Sequence, residues 1–248
     1  MTIEEFFKEN NKIAIAFSGG VDSSYLIYEA GKCGADVKAY YVKAQFQPEF
    51  ELEDAVKLAK EVNVAMEIIN VDVLKDEKVV QNPPNRCYYC KNAIFSTITK
   101  KAKEDGYDVI ADGTNASDDA DDRPGMKALA EMKVLSPLKI CGLTKDEIRR
   151  RSKEAGLFTW DKPAYACLAT RIKTGQKIDE STLKKVEECE SFMMNLEFSD
   201  FRIRVFDKSA KIQIREDDLS RLLSERTAVI SKLKKYFDDV LLDLGNFR

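Results

Sequence analysis

Apolar runs of strand length and segments of helical period take turns along the first two thirds of the chain. Residues 13–17 form an apolar run, and residues 25–30 repeat apolar positions at helical spacing. Residues 37–42 read as a second strand, 49–61 as a helix and 66–71 as a third strand. Residues 91–103 fit a helix and 108–111 a fourth strand, with another helix starting near Met126. Strands alternating with helices through short connections predict an α/β fold built on a doubly wound parallel sheet. Thr144, followed three positions on by Glu147, has the form of a capping box and opens a helix to about Ala155.

The pattern changes near Gly175. Residues 179–195 read as an amphipathic helix, 201–206 and 211–214 as alternating strands, 217–237 as helical and 240–244 as a last strand. These form a small α+β domain over 175–248, behind a larger domain over 1–174. No internal repeat or low-complexity linker interrupts them.

Composition narrows the class. With 248 residues, 44% apolar and 33% charged, the chain can bury a sizeable core and is globular rather than disordered. Its formal charge of −3 and pI near 5.4 argue against a general affinity for nucleic acid. No apolar run approaches membrane-spanning length, and the first residues lack a signal-peptide pattern, so the expected compartment is the cytoplasm with no membrane partner. Six cysteines there are expected as thiols or metal ligands rather than disulfides. The chain has no histidine, which removes Ser-His and Cys-His nucleophile pairs, His-ligated zinc and imidazole acid–base chemistry together.

Between the first strand and its helix stands Ser18-Gly19-Gly20-Val21-Asp22-Ser23-Ser24. Two glycines at a strand-to-helix turn let backbone approach a ligand closely, and the helix start offers unpaired N–H groups and a field that favours an anion. The spacing is not that of a Walker A loop, and no Lys precedes the final Ser. The stretch resembles the PP-loop of the ATP pyrophosphatase superfamily, whose members cleave ATP to AMP and pyrophosphate. Ligands of doubly wound sheets lie beyond the carboxyl ends of the strands at the switch point, which here means near Lys43, Ala44 and Gly113. The acidic loop at 117–125 reads as solvated by composition, but its place past a strand end makes its carboxylates candidates for Mg²⁺ or substrate.

Arg86-Cys87-Tyr88-Tyr89-Cys90-Lys91 holds a CxxC immediately before a predicted helix. Such a pair can share a soft metal or cluster, or act as a redox dithiol. A zinc ribbon would bring a second CxxC or a His pair, and a thioredoxin-like motif would follow the first strand; neither condition holds. Cys167 lies in a loop ending near Arg171, and three thiolates holding three irons would leave a fourth iron open to sulfide. Cys33, Cys141 and Cys189 read as small core residues, although Cys141 as a fourth ligand would close such a site.

Further stretches sharpen the resemblance. They are the PP-loop, Asp112-Gly113-Thr114-Asn115 to Arg123-Pro124-Gly125, the Cys167 loop, the strand with Arg202 and Arg204, and the ending Leu242-Asp243-Leu244-Gly245-Asn246-Phe247-Arg248. Together they resemble the LarE family, ATP-dependent sulfur transferases that make the nickel-pincer nucleotide cofactor, over nearly the whole chain. The resemblance implies that ATP with Mg²⁺ is attacked by a carboxylate of pyridinium-3,5-dicarboxylate mononucleotide. Sulfur then displaces AMP, and a second round treats the other carboxylate. It implies ATP binding by Ala16, Ser18, Gly19, Gly20, Asp22, Ser23, Ser24, Lys43 and Gly113, with Asp22 and Cys167 catalytic.

One branch of the family gives up the sulfur of a single cysteine, at the position of Cys167; the other carries sulfide on a 4Fe-4S cluster held by three. Cys87, Cys90 and Cys167 match the second pattern, so the cluster route and an external sulfide source are expected. Arg171, Arg202 and Arg204 are expected on the 5′-phosphate of the mononucleotide, with Glu190 orienting substrate. Lys91 either contacts a phosphate or covers helix surface. The family also suggests a homo-oligomer. Three rivals stand beside this reading: a tRNA thiolase, an amide-forming ligase of the NAD-synthetase kind, and a nucleotide-binding protein without catalysis.

Overall fold

The computed structural model describes residues 1–118 and 124–245. The chain forms two compact units, residues 1–73 with 85–164 and residues 74–84 with 165–248. The division therefore falls before Gly175, and a short excursion from the first half of the chain joins the second unit.

The first unit opens with α1 (Ile3–Glu9), a short helix that the apolar pattern alone did not announce. A complete capping box starts it: Thr2 Oγ1 accepts the Glu5 amide at 3.1 Å, and Glu5 Oε2 accepts the Thr2 amide at 2.8 Å. Then follow β1 (Lys12–Ala16), α2 (Val21–Lys32), β2 (Asp36–Lys43), α3 (Glu49–Glu61) and β3 (Ala65–Asn70). After the one-turn α4 (Glu77–Val80), the chain continues with α5 (Arg86–Glu104), β4 (Ile110–Ala111), α6 (Pro124–Glu131), α7 (Pro137–Ile140) and α8 (Lys145–Glu154).

The sheet runs β3-β2-β1-β4 with every pairing parallel. Residues 13–15 of β1 are fully buried because both faces are covered. Ile13 and Ile15 pack with Leu26, Ile27, Leu58 and Ile148 on one face, while Ala14, Tyr40 and Val42 meet Ile98 and Ala102 of α5 on the other. This is the expected doubly wound arrangement. The strand order reverses direction about β1, so the carboxyl ends of β1 and β4 frame the switch point.

The second unit holds α9 (Glu180–Asn195), β5 (Phe201–Phe206), β6 (Ser209–Ile214), α10 (Leu219–Ser224), α11 (Arg226–Leu233) and β7 (Asp239–Leu242). Its sheet runs β5-β6-β7, antiparallel then parallel. The residues 74–84 are tied to it by backbone bonds from Gly175 N–H to Asn82 O at 2.8 Å and from Ile178 N–H to Val80 O at 2.8 Å. Asn82 is buried and left-handed (φ 51°), and its amide donates to Lys173 O at 3.1 Å.

Three local expectations are corrected. The predicted helix over 217–237 is a 3-10 turn and two helices broken at Glu225; Leu222, Val229 and Leu233 keep an apolar stripe across the break, so periodicity does not see it. The Thr144 box is half formed, because Thr144 Oγ1 takes the Glu147 amide while the Glu147 carboxylate turns to Arg150 and Arg151. The CxxC lies within the first two turns of α5, not before it. The loop carboxylates at 119–122, Arg123 and the ending Asn246-Phe247-Arg248 lie outside the described residues. No helix among the described residues is long and apolar enough to cross a membrane.

The β1 packing generates a first prediction. Ile15→Ala should cost about 2–5 kcal/mol, read as a lower urea midpoint with an unchanged slope.

Candidate functional site

At the end of β1 the chain turns through Gly19, held at φ 73°, into α2. A Cβ on Gly19 would lie 3.0 Å from Glu51 O and 3.1 Å from Ala55 Cβ, so only glycine lets the turn seat against α3. Ser18 and Ser23 lock the turn internally. Ser23 Oγ accepts the Ser18 amide at 3.2 Å, lies 3.1 Å from Ser18 Oγ and donates to Gly20 O at 3.2 Å. Gly20 is the N-cap and no side chain caps the helix, so its first turn is left open. Ser24 is fully buried, with a hydroxyl that finds no partner among the described residues.

Gly113, just past β4, presses on the same turn. A Cβ there would stand 2.9 Å from Ser23 N and 3.1 Å from Ser23 Cα. Asp112 fixes this loop by accepting from the Thr114 amide at 3.2 Å, Thr114 Oγ1 at 2.6 Å and Ser136 Oγ at 2.8 Å. The structure thus brings Ala16, Ser18, Gly19, Gly20, Asp22, Ser23, Ser24 and Gly113 to one place. Lys43, at the end of neighbouring β2, donates to Gln47 O at 2.8 Å and pairs with Glu49 at 2.9 Å.

Two lysines that the sequence reading passed over reach the turn. Lys145 Nζ sits 2.6 Å from Asp22 Oδ2, while Asp22 Oδ1 is buried with no partner among the described residues. Lys162 Nζ pairs with Asp54 at 2.7 Å and donates to Gly19 O at 3.3 Å. Arg149 holds that segment by donating to Trp160 O and Lys162 O, each at 2.8 Å. Neither lysine had a local signal, since Lys145 sat in a capping box and Lys162 before a proline. The orphaned Asp22 oxygen in an anion-receiving turn fits a divalent cation brought in with phosphate.

The cysteines are divided between the units. Cys87 and Cys90, three apart on α5, share one side of that helix; Cys87 is exposed and Cys90 buried. Lys91 lays its stem against Gly125 of α6, where a Cβ would come 2.9 Å from Lys91 Cδ. Cys167 belongs to the second unit. Among the described residues no three His, Cys, Asp or Glu side chains are gathered to hold a metal ion. Cys33 and Cys141 pack against the first unit's core, where burial raises both thiols, and burial pushes Cys189 up to about 12.

In the second unit, Cys167 heads the 3-10 turn Leu168–Arg171, with its carbonyl accepting from Thr170 N–H and Oγ1, each at 2.9 Å. Arg171 is buried and meets Glu190 face to face, Nε to Oε1 at 2.8 Å and Nη2 to Oε2 at 2.9 Å. It also donates to Ala166 O and Thr170 Oγ1, each at 2.9 Å. Glu190 accepts in addition from the Ile203 amide at 2.8 Å and from Tyr165 OH, which fills both its oxygens. Burial opposes the charge on Arg171, but the Glu190 hydrogen bonds outweigh it and hold its pKa above the ordinary value. The pair therefore sets the shape of the Cys167 loop.

Arg202 and Arg204 share a face of β5. Arg204 commits part of its donor fork to Thr170 O at 2.8 Å and to Gln213. Its pKa is lowered by burial and then by the charges of Arg202 and Arg171.

Comparison with known proteins follows the same lines. Residues 11–135 match the family model for the tRNA methyl transferase HUP domain. The chain is 36% identical over 247 residues to an uncharacterized protein of Methanocaldococcus jannaschii, covering 99% of this chain and 94% of that one. It is 29% identical over 250 residues to the pyridinium-3,5-bisthiocarboxylic acid mononucleotide synthase of Lactiplantibacillus plantarum, covering 100% and 91%. Over 188 residues it is 29% identical to a tRNA-specific 2-thiouridylase of Pseudothermotoga lettingae, covering 61% of this chain and 54% of that one.

The Arg171–Glu190 pair yields the second prediction. Arg171→Met leaves a buried carboxylate without its counter-ion and should cost about 3–5 kcal/mol. Arg171→Met with Glu190→Gln should recover part of that loss in urea unfolding.

Proposed function

The chain belongs to the family of the tRNA methyl transferase HUP domain and is a homologue of a pyridinium bisthiocarboxylate mononucleotide synthase, and from that premise we propose an ATP-dependent sulfur transferase acting on pyridinium-3,5-dicarboxylate mononucleotide. The observation that carries the ATP half is the uncapped first turn of α2, framed at the switch point by Gly19 and Gly113. A substrate carboxylate oxygen attacks the α-phosphorus of ATP. The bond from that phosphorus to the pyrophosphate oxygen breaks, and pyrophosphate leaves with the electron pair. The open amides of α2 stabilise the charge that gathers on it. Asp22 would hold Mg²⁺, which supplies charge neutralisation on the phosphates.

A sulfur nucleophile at the oxidation level of sulfide then attacks the acyl carbon, and AMP leaves with the electrons of the C–O bond. The product is a thiocarboxylate, and repetition treats the second carboxylate. The nucleophilic carboxylate is already ionised at neutral pH, so the first step needs no imidazole base, and the chain has none. Arg202 and Arg204 hold the substrate phosphate, with Arg171 contributing its charge; Glu190 acts through Arg171. Lys91 covers helix surface. Cys167 helps hold the external sulfide that attacks and gives up no sulfur of its own. The protein works in the cytoplasm as a homo-oligomer and takes sulfide from a separate source.

A second reading is favoured by one finding, the similarity to tRNA 2-thiouridylases across 61% of the chain. It shares the adenylation and differs in acceptor. The acidic balance of the chain weighs against it, and a salt-sensitive tRNA gel shift would turn the choice toward it.

Two predictions follow from these roles. Arg202→Ala with Arg204→Ala should weaken substrate binding by about 30-fold or more in calorimetry while leaving ATP affinity unchanged. Cys167→Ser should keep substrate-dependent pyrophosphate release and form no thiocarboxylate by mass spectrometry. The cluster on Cys87, Cys90 and Cys167 is the finer form of the proposal, tested on anaerobic protein. Iron and acid-labile sulfide lost together in Cys87→Ser with Cys90→Ser support it. Iron-free protein that loses the elements of H₂S from Cys167 on turnover overturns it.

A further inference from the structure

The Lys145–Asp22 pair asks for an explanation that packing does not provide. Lys145 is the first residue of α8, and its anchorage is firm. Its own amide donates to Ser117 Oγ at 3.0 Å, and the Ala116 amide donates to Leu143 O at 2.8 Å, so the loop after β4 is stitched to the helix start. From that anchor the side chain reaches the first turn of α2 and meets Asp22 at 2.6 Å.

This is a poor place for a cation at rest. A lysine in the first turn of α8 opposes that helix's own dipole, and its ammonium ends beside the equally positive start of α2. Asp22 offsets this with one oxygen only. The other oxygen is buried and lacks a partner among the described residues, a costly state for a carboxylate unless a cation is to arrive. The pair is also open, at 32% and 23% side-chain exposure, whereas Lys162 on the other side is 14% exposed and doubly held by Asp54 and Gly19 O.

We infer that Lys145 is a phosphate-binding residue held in reserve on Asp22, and that Mg²⁺ arriving with ATP takes the carboxylate and releases the ammonium to the departing pyrophosphate oxygens. The inference rests on the ATP-binding reading of the α2 turn and adds a residue and a sequence of partners to it. No bond to Lys145 forms or breaks covalently; it exchanges one anionic partner for another. Its flexible four-carbon stem permits the move without displacing α8.

The exchange has a signature that a structural tie lacks. Asp22 masks Lys145 when no metal is present, so Asp22→Asn should bind metal-free ATP about tenfold more tightly than the wild type. Adding Lys145→Met to that variant should remove the gain. Lys145→Met alone should weaken Mg²⁺–ATP by about tenfold or more and slow pyrophosphate release, with AMP affinity little changed. Calorimetry with ATP and AMP, with and without Mg²⁺, reads the affinities, and a coupled pyrophosphate assay with substrate reads the release rate.

Lys145→Met that binds Mg²⁺–ATP like the wild type overturns the inference, as does an Asp22→Asn gain that survives in the double variant. Equal losses for ATP and AMP, together with a lower unfolding temperature, also overturn it by showing a structural tie. If the wild-type protein itself binds no ATP, the functional reading falls along with this inference, and that result is distinct from the others.

Discussion

Backbone meets backbone at the start of α2. Gly113 lies so close to Ser23 that a single added carbon would overlap the helix's main chain, and Gly19 is wedged as tightly against α3. These two contacts hold an uncapped helix end at the point where the strand order of the sheet turns back on itself. Everything else in the first unit follows from keeping that end open yet immobile. Ser18 and Ser23 tie the turn to itself so that it does not collapse onto its own amides. Asp112 braces the opposite loop through Thr114 and Ser136.

The second unit solves a different problem, that of keeping arginines charged away from water. Arg171 is almost wholly buried and is made tolerable by the fully satisfied Glu190, which also accepts from Tyr165 and from the main chain of β5. That one carboxylate ties a helix, a strand and the Cys167 loop together. Arg204 leans instead on Thr170 O and Gln213, and burial, then the charges of Arg202 and Arg171, lower its pKa. The contrast separates two jobs that look alike in sequence. One arginine is neutralised by a carboxylate and shapes the loop, while the other bonds to a carbonyl and an amide oxygen.

This contrast also shows where the sequence was readable and where it was not. The strands and α3 follow from apolar runs and period; in β1 and the later part of β2, burial on both faces of a parallel sheet writes itself into consecutive residues. Gly19 and Gly113 were legible since only one residue type tolerates those contacts. By contrast, the partnership of Arg171 with Glu190 joins residues 19 positions apart on different elements, and no local pattern encodes it. The assignment of residues 74–84 to the second unit rests on two backbone bonds and a side-chain amide bond around a left-handed Asn82, which sequence spacing cannot express. Lys145 was hidden for a further reason: the neighbouring Thr and Glu already supplied a sufficient structural account of the stretch.

A chain without histidine has to do chemistry with fixed charges. Carboxylates, ammonium groups and guanidinium groups of ordinary pKa stay charged near neutral pH, so the chemistry open to them is a matter of where charge stands and which partner it faces. Splitting ATP suits such a chain, because the reaction moves negative charge onto a leaving group and asks mainly for positive charge to receive it. Peptide amides at a helix end provide that without titrating, and they require a helix whose first turn is left bare. The bare first turn at Gly20 therefore answers that demand through geometry, by presenting amides to the charge on the leaving group.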